Sequence, residues 1–119
     1  MQDVQPKWLE SGAVLVCEKC YKQRIPDETP DVAKRIGDFD LRDWLKKRLK
    51  EAGYGKRIRA INTGCLDICA KGLVTVSIVP QGAGGATQTF VLDPIEEREA
   101  LYARVILALG GSPHEGAEK

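Results

Sequence analysis

The pattern of apolar and polar residues predicts four strands along the chain. Residues 12–16 form a short apolar run that ends at Cys17, which is typical of a buried strand. Residues 56–63 alternate apolar and polar side chains, and this alternation predicts a half-buried strand. Residues 73–79 and 87–92 flank a glycine-rich turn. They are therefore predicted to pair as a β-hairpin.

Two segments have the period of a helix. The first is predicted to begin after Asp40, an N-cap residue, and the second after Asp93, with Glu96 completing a capping box. Between the first strand and the first helix, residues 21–38 are polar and contain prolines and a glycine. We expect a long loop there, with room for one helical turn at residues 31–36. The first helix has one apolar stripe, formed by Leu41, Trp44, Leu45 and Leu49.

The order of these elements predicts an α/β fold. A strand–helix–strand unit with a right-handed crossover makes the first two strands parallel neighbours, and the hairpin adds two more strands. We expect a thioredoxin-like two-layer sandwich, with a mixed four-stranded sheet in the order 2-1-3-4 and two main helices. The domain is expected at residues 12–110, after an N-terminal extension at 1–11 and before a flexible tail at 111–119.

The overall composition narrows the class of protein. A chain of 119 residues fits one domain, and a formal net charge of +1 indicates neither a nucleic-acid partner nor a membrane surface. No run approaches the roughly eighteen apolar residues of a membrane helix, and the first ten residues do not resemble a secretory signal. We therefore expect a cytoplasmic protein, in which cysteines serve as metal ligands or redox groups rather than as disulfides.

The four cysteines form two pairs, and each pair directly follows a predicted strand. Cys17 and Cys20 follow the first strand, and Cys65 and Cys69 follow the second. Because parallel neighbouring strands end at the same edge of a sheet, both pairs are predicted to converge there. Thiolates this close repel one another, and a bound metal centre removes that cost. A structural zinc ion and an iron–sulfur cluster both accept four cysteines.

The spacing of the second pair distinguishes these two metal centres. Zinc ribbons usually carry two CxxC knuckles on hairpin turns, whereas Cys65 and Cys69 are separated by three intervening residues and follow a parallel strand. A binuclear cluster spreads its ligands over two irons, so unequal spacings suit it. The spacing favours a 2Fe–2S cluster, and a structural zinc interaction domain stays open as the alternative.

The segment around the second pair resembles a known family. Residues 63–72 read TGCLDICAKG, which is similar to the GCxxxCxxG signature of thioredoxin-like 2Fe–2S ferredoxins and of the related domain in the NADH dehydrogenase 24 kDa-type subunit. The strand that ends at Cys17 resembles the strand of that family carrying the first ligand, and the resemblance extends over residues 12–109.

The resemblance implies a function as well as a fold. It implies a homodimeric electron carrier that passes single electrons between redox partner proteins and has no substrate chemistry of its own. No Ser/His/Asp set or paired-carboxylate site in the sequence suggests an enzyme. The implied ligands of the 2Fe–2S cluster are Cys17, Cys20, Cys65 and Cys69.

A thioredoxin-like redox dithiol at Cys17 and Cys20 is a further alternative. In that motif the CxxC normally opens a helix at once, whereas here the residues after Cys20 are predicted to form a loop. A dithiol would also leave Cys65 and Cys69 without a role. We therefore rank this alternative below the two metal centres.

Charged residues suggest how a redox partner approaches. Electrons tunnel efficiently only over short distances, so the partner is expected to dock beside the cysteines. The basic residues expected there indicate a partner with an acidic docking patch: Lys19, Lys22 and Lys71. Another basic group is predicted to be only the solvated face of the first helix: Lys46, Lys47, Arg48 and Lys50.

Overall fold

The computed structural model describes residues 1–3, 11–64, 66, 71–81 and 86–110. The strands are β1 (Gly12–Cys17), β2 (Ile58–Thr63), β3 (Val74–Pro80) and β4 (Gln88–Leu92). The helices are α1 (Ile25–Glu28), α2 (Pro30–Ile36), α3 (Leu41–Glu51) and α4 (Arg98–Leu109), and a π-helical turn spans Cys20–Arg24. The predicted tail at 111–119 and most of the predicted N-terminal extension lie outside the described residues.

The four strands form one mixed sheet in the order β2-β1-β3-β4, which confirms the predicted α/β fold and strand order. β1 and β2 run parallel, with Cys17 opposite Thr63 at their common end. β3 is antiparallel to β1, with Val76 opposite Val16, and it pairs on its other side with β4. β2 is therefore an edge strand, and β1 is its strand partner in the described part of the chain.

One face of the sheet carries the aliphatic core. Side chains alternate between the faces of a strand, so Val14 and Val16 of β1 share a face with Val76 and Ile78 of β3, and all four are fully buried. Burying an aliphatic side chain of this size contributes about 1.5–3 kcal/mol. The core is completed by leucine and valine side chains of α3 and α4: Leu41, Leu45, Leu49, Leu101, Val105 and Leu109.

The two main helices begin at acidic residues. The Asp40 carboxylate accepts a hydrogen bond from the Asp43 amide at 3.0 Å, as predicted for the N-cap of α3. Asp93 accepts hydrogen bonds from the amides that follow it, but α4 begins only at Arg98, because residues 94–96 form a turn first. The acid that completes the reciprocal bond is Glu97, which accepts from the Asp93 amide at 2.8 Å, so the predicted role of Glu96 is wrong.

The predicted long loop at residues 21–38 is wrong, because most of this segment is helical. The π-helical turn, α1 and α2 follow β1 almost without interruption. Pro26 and Pro30 lie in the first turns of α1 and α2, where a missing backbone N–H breaks no helical hydrogen bond. Gly37 then ends α2 with a φ of 59°, a conformation that glycine adopts without strain.

Candidate metal centre at the cysteine pole

The strand ends and the π-helical turn bring Cys17 and Cys20 together. Cys17 is the last residue of β1, and Cys20 is the first residue of the turn. Both side chains are only 1% exposed. We call this end of the sheet the cysteine pole and define it by Cys17, Cys20, Thr63, Leu66 and Thr75. By the alternation of the strand, Cys17 belongs to the face opposite the aliphatic core, and Thr75 of β3 lies on that same face.

Several hydrogen-bond donors point at the two sulfur atoms. The Cys20 amide donates to the Cys17 Sγ at 3.4 Å, and the Leu66 amide also donates to that sulfur. The Cys20 Sγ lies 3.8 Å from the Thr75 Oγ1. Donors of this kind stabilise sulfur that carries negative charge, either as a free thiolate or as a metal ligand.

The environment moves the pKa values of the two thiols in opposite directions. Burial raises the pKa of the Cys17 thiol, and the amide hydrogen bonds from Cys20 and Leu66 only partly oppose this effect. Burial also acts against ionisation of Cys20. Hydrogen bonds to its sulfur from Cys17, Thr75 and Arg24 outweigh burial, so the pKa of Cys20 is lowered. Cys20 is therefore the sulfur of this pair that ionises more readily.

The π-helical turn places Cys20 at the mouth of a pocket. The turn is closed by a hydrogen bond from the Ile25 amide to the Cys20 carbonyl, and such turns are frequent at functional sites. Arg24, which interacts with the Cys20 sulfur, also forms an ion pair with Glu28 at 2.8 Å. A pocket of about 370 Å³ opens beside the two cysteines, and it is lined further by Lys19, Gln23, Arg24, Asp27 and Glu28.

The described residues that flank the second pair reach the same end of the sheet. Thr63 is opposite Cys17, and the Leu66 amide bonds to the Cys17 sulfur. Gly72, which closes the GCxxxCxxG motif, has a φ of 76°. A Cβ atom at Gly72 would lie 3.4 Å from the Val32 side chain of α2. The described residues on either side of the second pair therefore lie next to β1, which carries Cys17, and next to α2, which follows Cys20.

Of the four predicted ligands, the structure describes Cys17 and Cys20, while Cys65 and Cys69 lie outside the described residues. Within the described ranges, no group of three or more histidine, cysteine or acidic side chains is arranged to hold a metal ion. Among the lysines predicted near a docking partner, Lys19 and Lys71 are exposed, and the Lys22 side chain lies outside the described residues.

The donor chemistry at the cysteine pole fits a thiolate-bound metal. Cys17 and Cys20 supply buried sulfur, and backbone amides already donate to it. Hydrogen bonds to sulfur and restricted solvent access are the features through which proteins tune iron–sulfur centres.

Sequence interpretation missed Thr75 as a contact of the cysteines. A signal was present, because β3 carries Thr75 and Ser77 at alternate positions between aliphatic residues. Both are buried, at 0% and 5% exposure. Alternate buried hydroxyls indicate that one face of a strand meets polar groups, but their partner becomes apparent only from the pairing of β3 with β1.

Comparison with protein-family models, with curated proteins and with solved structures gives no match for this chain. The functional assignment therefore depends on the residues and their arrangement. In the part of the chain that the structure describes, no helix has both the length and the apolar character needed to cross a membrane.

Proposed function

We propose that this protein is a small electron carrier that holds a 2Fe–2S cluster through Cys17, Cys20, Cys65 and Cys69. The observation that carries the proposal is the parallel pairing of β1 with β2, which sets Cys17 opposite Thr63, two residues before Cys65. A segment with two cysteines that begins beside a buried cysteine pair suits a four-thiolate centre.

The residues of the chain have definable tasks in this function. The cluster, when bound, supplies the reversible uptake of one electron. The amides of Cys20 and Leu66 donate to ligand sulfur and so stabilise negative charge there, and the Thr75 hydroxyl lies beside the Cys20 sulfur. The near-complete burial of Cys17 and Cys20 keeps water away from their sulfur atoms.

The proposal also includes a docking partner, an oligomeric state and a cellular location. Exposed Lys19 and Lys71 favour a redox partner that docks at the cysteine pole with an acidic patch. The resemblance of residues 63–72 to thioredoxin-like ferredoxins further leads us to propose a homodimer in the cytoplasm.

Metal and sulfide analysis tests the proposal directly. Protein purified without air is expected to contain about two irons and two acid-labile sulfides per chain. It should also show a visible absorbance that bleaches on reduction. A colourless preparation with one zinc ion per chain would instead establish the structural zinc alternative.

A redox dithiol is the second candidate function, and two observations favour it. A helical segment follows Cys20 directly, and the pKa of Cys20 is lowered, as in reactive CxxC motifs. In this function the Cys20 thiolate attacks a substrate disulfide, and Cys17 then resolves the mixed disulfide. The substrate gains two electrons and two protons, and a Cys17–Cys20 disulfide forms.

One double variant separates the two functions. Replacing the second pair, Cys65→Ser with Cys69→Ser, should leave disulfide reduction intact if the protein is a dithiol reductase. The same variant should lose iron and visible colour if the protein holds a cluster. Two results together would favour the dithiol over the cluster. The wild-type protein would contain no iron, and the double variant would still reduce disulfides.

A further inference from the structure

A basic groove lies between α3 and the edge strand β2, and it shares no lining residue with the cysteine pocket. Its volume is about 350 Å³, and Ile58, Ala60 and Asn62 are among the β2 residues that line it. Three of its basic side chains come from α3 and are spaced four residues apart, which places them along one side of the helix. We define the basic groove by its four cationic residues: Arg42, Lys46, Lys50 and Arg59.

The cations of this groove differ in how their charge is offset, since Arg42 forms an ion pair with Asp43 at 3.2 Å. Like charges four residues apart on a helix repel each other and weaken it. In the described part of the chain, Lys46 and Lys50 form no ion pair. By contrast, Arg48 on the same helix bonds to Glu99 at 3.5 Å and lies over the Tyr102 ring. An anionic partner in the groove would offset the repulsion along α3.

The edge of β2 indicates which kind of anionic partner fits. An edge strand presents unpaired backbone N–H and C=O groups, and an extended peptide can pair with them as an added strand. In the described residues, β1 occupies one side of β2 and no strand occupies the other. A nucleic acid would use only the charge of this groove, whereas a peptide would use both its charge and its free edge.

The spacing of the charges also fits an extended peptide. Residues four apart on a helix are separated by about 6 Å along its axis. Alternate residues of an extended strand are separated by about 6.6–6.8 Å, and their side chains point to the same face. Acidic side chains at three alternate positions of one added strand would therefore stay close to Arg42, Lys46 and Lys50 along the whole groove.

We propose that β2 accepts an extended acidic segment of a partner protein as a fifth strand of the sheet. The acidic residues of this segment occupy alternate positions and face the basic groove, while its backbone pairs with the free edge of β2. This interaction does not depend on which metal or redox function the cysteines serve. Lys46, Lys47 and Lys50 are exposed, as expected for the solvated face of α3, and the proposal gives Lys46 and Lys50 a further role.

The probe for this proposal is a fluorescent heptapeptide in which glutamate alternates with valine and threonine. Its matched control has the same sequence and charge but carries N-methyl groups on alternate backbone amides, which prevents strand pairing. Fluorescence anisotropy with the full-length chain should show binding of the first peptide and at least about tenfold weaker binding of the second, because the ladder of hydrogen bonds is lost.

A pair of charge-matched variants locates the binding site. Lys46→Glu with Lys50→Glu should weaken binding of the unmethylated peptide at least about tenfold, because two attractive charges become repulsive. Lys34→Glu with Lys47→Glu changes the net charge equally at exposed lysines that do not line the groove. This control should retain clearly more of the binding than the groove variant, since neither of its side chains lines the groove. Circular dichroism confirms that both variants are folded.

Four results would overturn the proposal. The first is equal binding of the methylated and unmethylated peptides. The second is oligothymidylate binding as tightly as the peptide, which would indicate a general polyanion site. The third is an equal loss of binding in both charge variants, and the fourth is no binding of the peptide to the wild-type chain. Hydrogen exchange adds a local readout, because bound peptide should increase the protection of amides in β2 (Ile58–Thr63).

Discussion

The two faces of the sheet come from the same strands but enclose different chemistry. On the face covered by α3 and α4, β1 and β3 bury aliphatic side chains such as Val16 and Val76. On the opposite face, the neighbouring residues Cys17 and Thr75 are equally buried but are polar or ionisable. Burial on this second face is compatible with stability because its polar groups have partners, including Ser77, which bonds to Thr89 at 2.8 Å.

This difference shows that the residues that pack the core and the residues that could bind a metal alternate along the same strands. Consecutive residues of β1 or β3 point to opposite faces, so the residue next to a core residue lies on the face of the cysteines. Substitutions on the covered face should therefore lower stability while leaving the proposed metal site able to form. Substitutions of the proposed ligands on the cysteine face should remove that site, and the following predictions test this division.

The largest effect is expected from removal of a proposed ligand. Cys17→Ala and Cys65→Ala should each abolish most of the visible absorbance of anaerobically purified protein, because each would remove one of the four bonds to the proposed metal centre. Ser77→Ala is the matched control on the same face, since Ser77 bonds to Thr89 rather than to sulfur. Retention of the wild-type spectrum by both cysteine variants would exclude the proposed ligand set.

A large effect on stability, without loss of the site, is expected on the covered face. Leu45 is fully buried between α3 and the sheet. Leu45→Ala should lower the free energy of unfolding by about 2–5 kcal/mol, through lost burial and a new cavity. Leu15→Ala removes the same atoms from a half-buried position on the opposite face, so its cost should be smaller.

Urea unfolding measured anaerobically, together with iron content per folded chain, checks this second prediction. Iron content should be unchanged in both variants at low urea concentration. If Leu15→Ala costs as much free energy as Leu45→Ala, the two faces do not differ in packing in the way the burial pattern indicates.

A smaller effect is expected at Thr75. Its hydroxyl is one of several groups that lower the pKa of Cys20, so Thr75→Val should raise the pKa of that thiol in reduced, metal-free protein. The rate of iodoacetamide labelling at Cys20 and near-neutral pH should fall as a result. Thr89→Val removes a hydroxyl on the same face that bonds to Ser77 rather than to sulfur, and it should leave the rate unchanged. A faster rate in Thr75→Val would contradict the hydrogen bond seen here.

Local patterns were sufficient to predict the sheet. Each strand shows its character within a few residues, and the element order, which matches a thioredoxin-like sandwich, then predicts the order β2-β1-β3-β4. Within the helical segment from Cys20 to Ile36, only a turn at residues 31–36 was predicted, because the prolines suggested breaks. Whether a proline starts or interrupts a helix depends on its position within the turn, and composition does not reveal that position.

The candidate site was only partly accessible from sequence. The cysteine spacing and the strand order brought Cys17 and Cys20 to one end of the sheet, where they are found. The contact between Cys20 and Thr75 joins residues 55 positions apart in the chain. It depends on the register of β3 against β1, which long-range pairing determines. The predicted convergence of Cys65 and Cys69 with them stays a prediction.

The smallest effect is expected at the ion pair between α2 and the segment that precedes α4. Arg35 of α2 bonds to Asp93, whose carboxylate also accepts from the amides of Ile95 at 2.9 Å and Glu96 at 3.0 Å. Burial favours the neutral form of this carboxyl. The hydrogen bonds from Arg35 and the two amides outweigh burial, so the pKa of Asp93 is lowered.

A carboxyl with a lower pKa in the folded than in the unfolded state stabilises the fold in its charged form. This contribution is complete above the unfolded value of about 3.9, and it is lost as the pH falls through the lowered folded value. Asp93→Asn should therefore reduce stability at neutral pH by about 1 kcal/mol or less, discounted because the pair borders solvent. The difference from wild type in urea unfolding should shrink as the pH falls below 4. Glu96→Gln, at an exposed acid 3.8 Å from Arg35, should change stability less. A difference that instead grew with acid would mean that Asp93 is held in its neutral form, and the link between the two regions would then be a neutral cap rather than an ion pair.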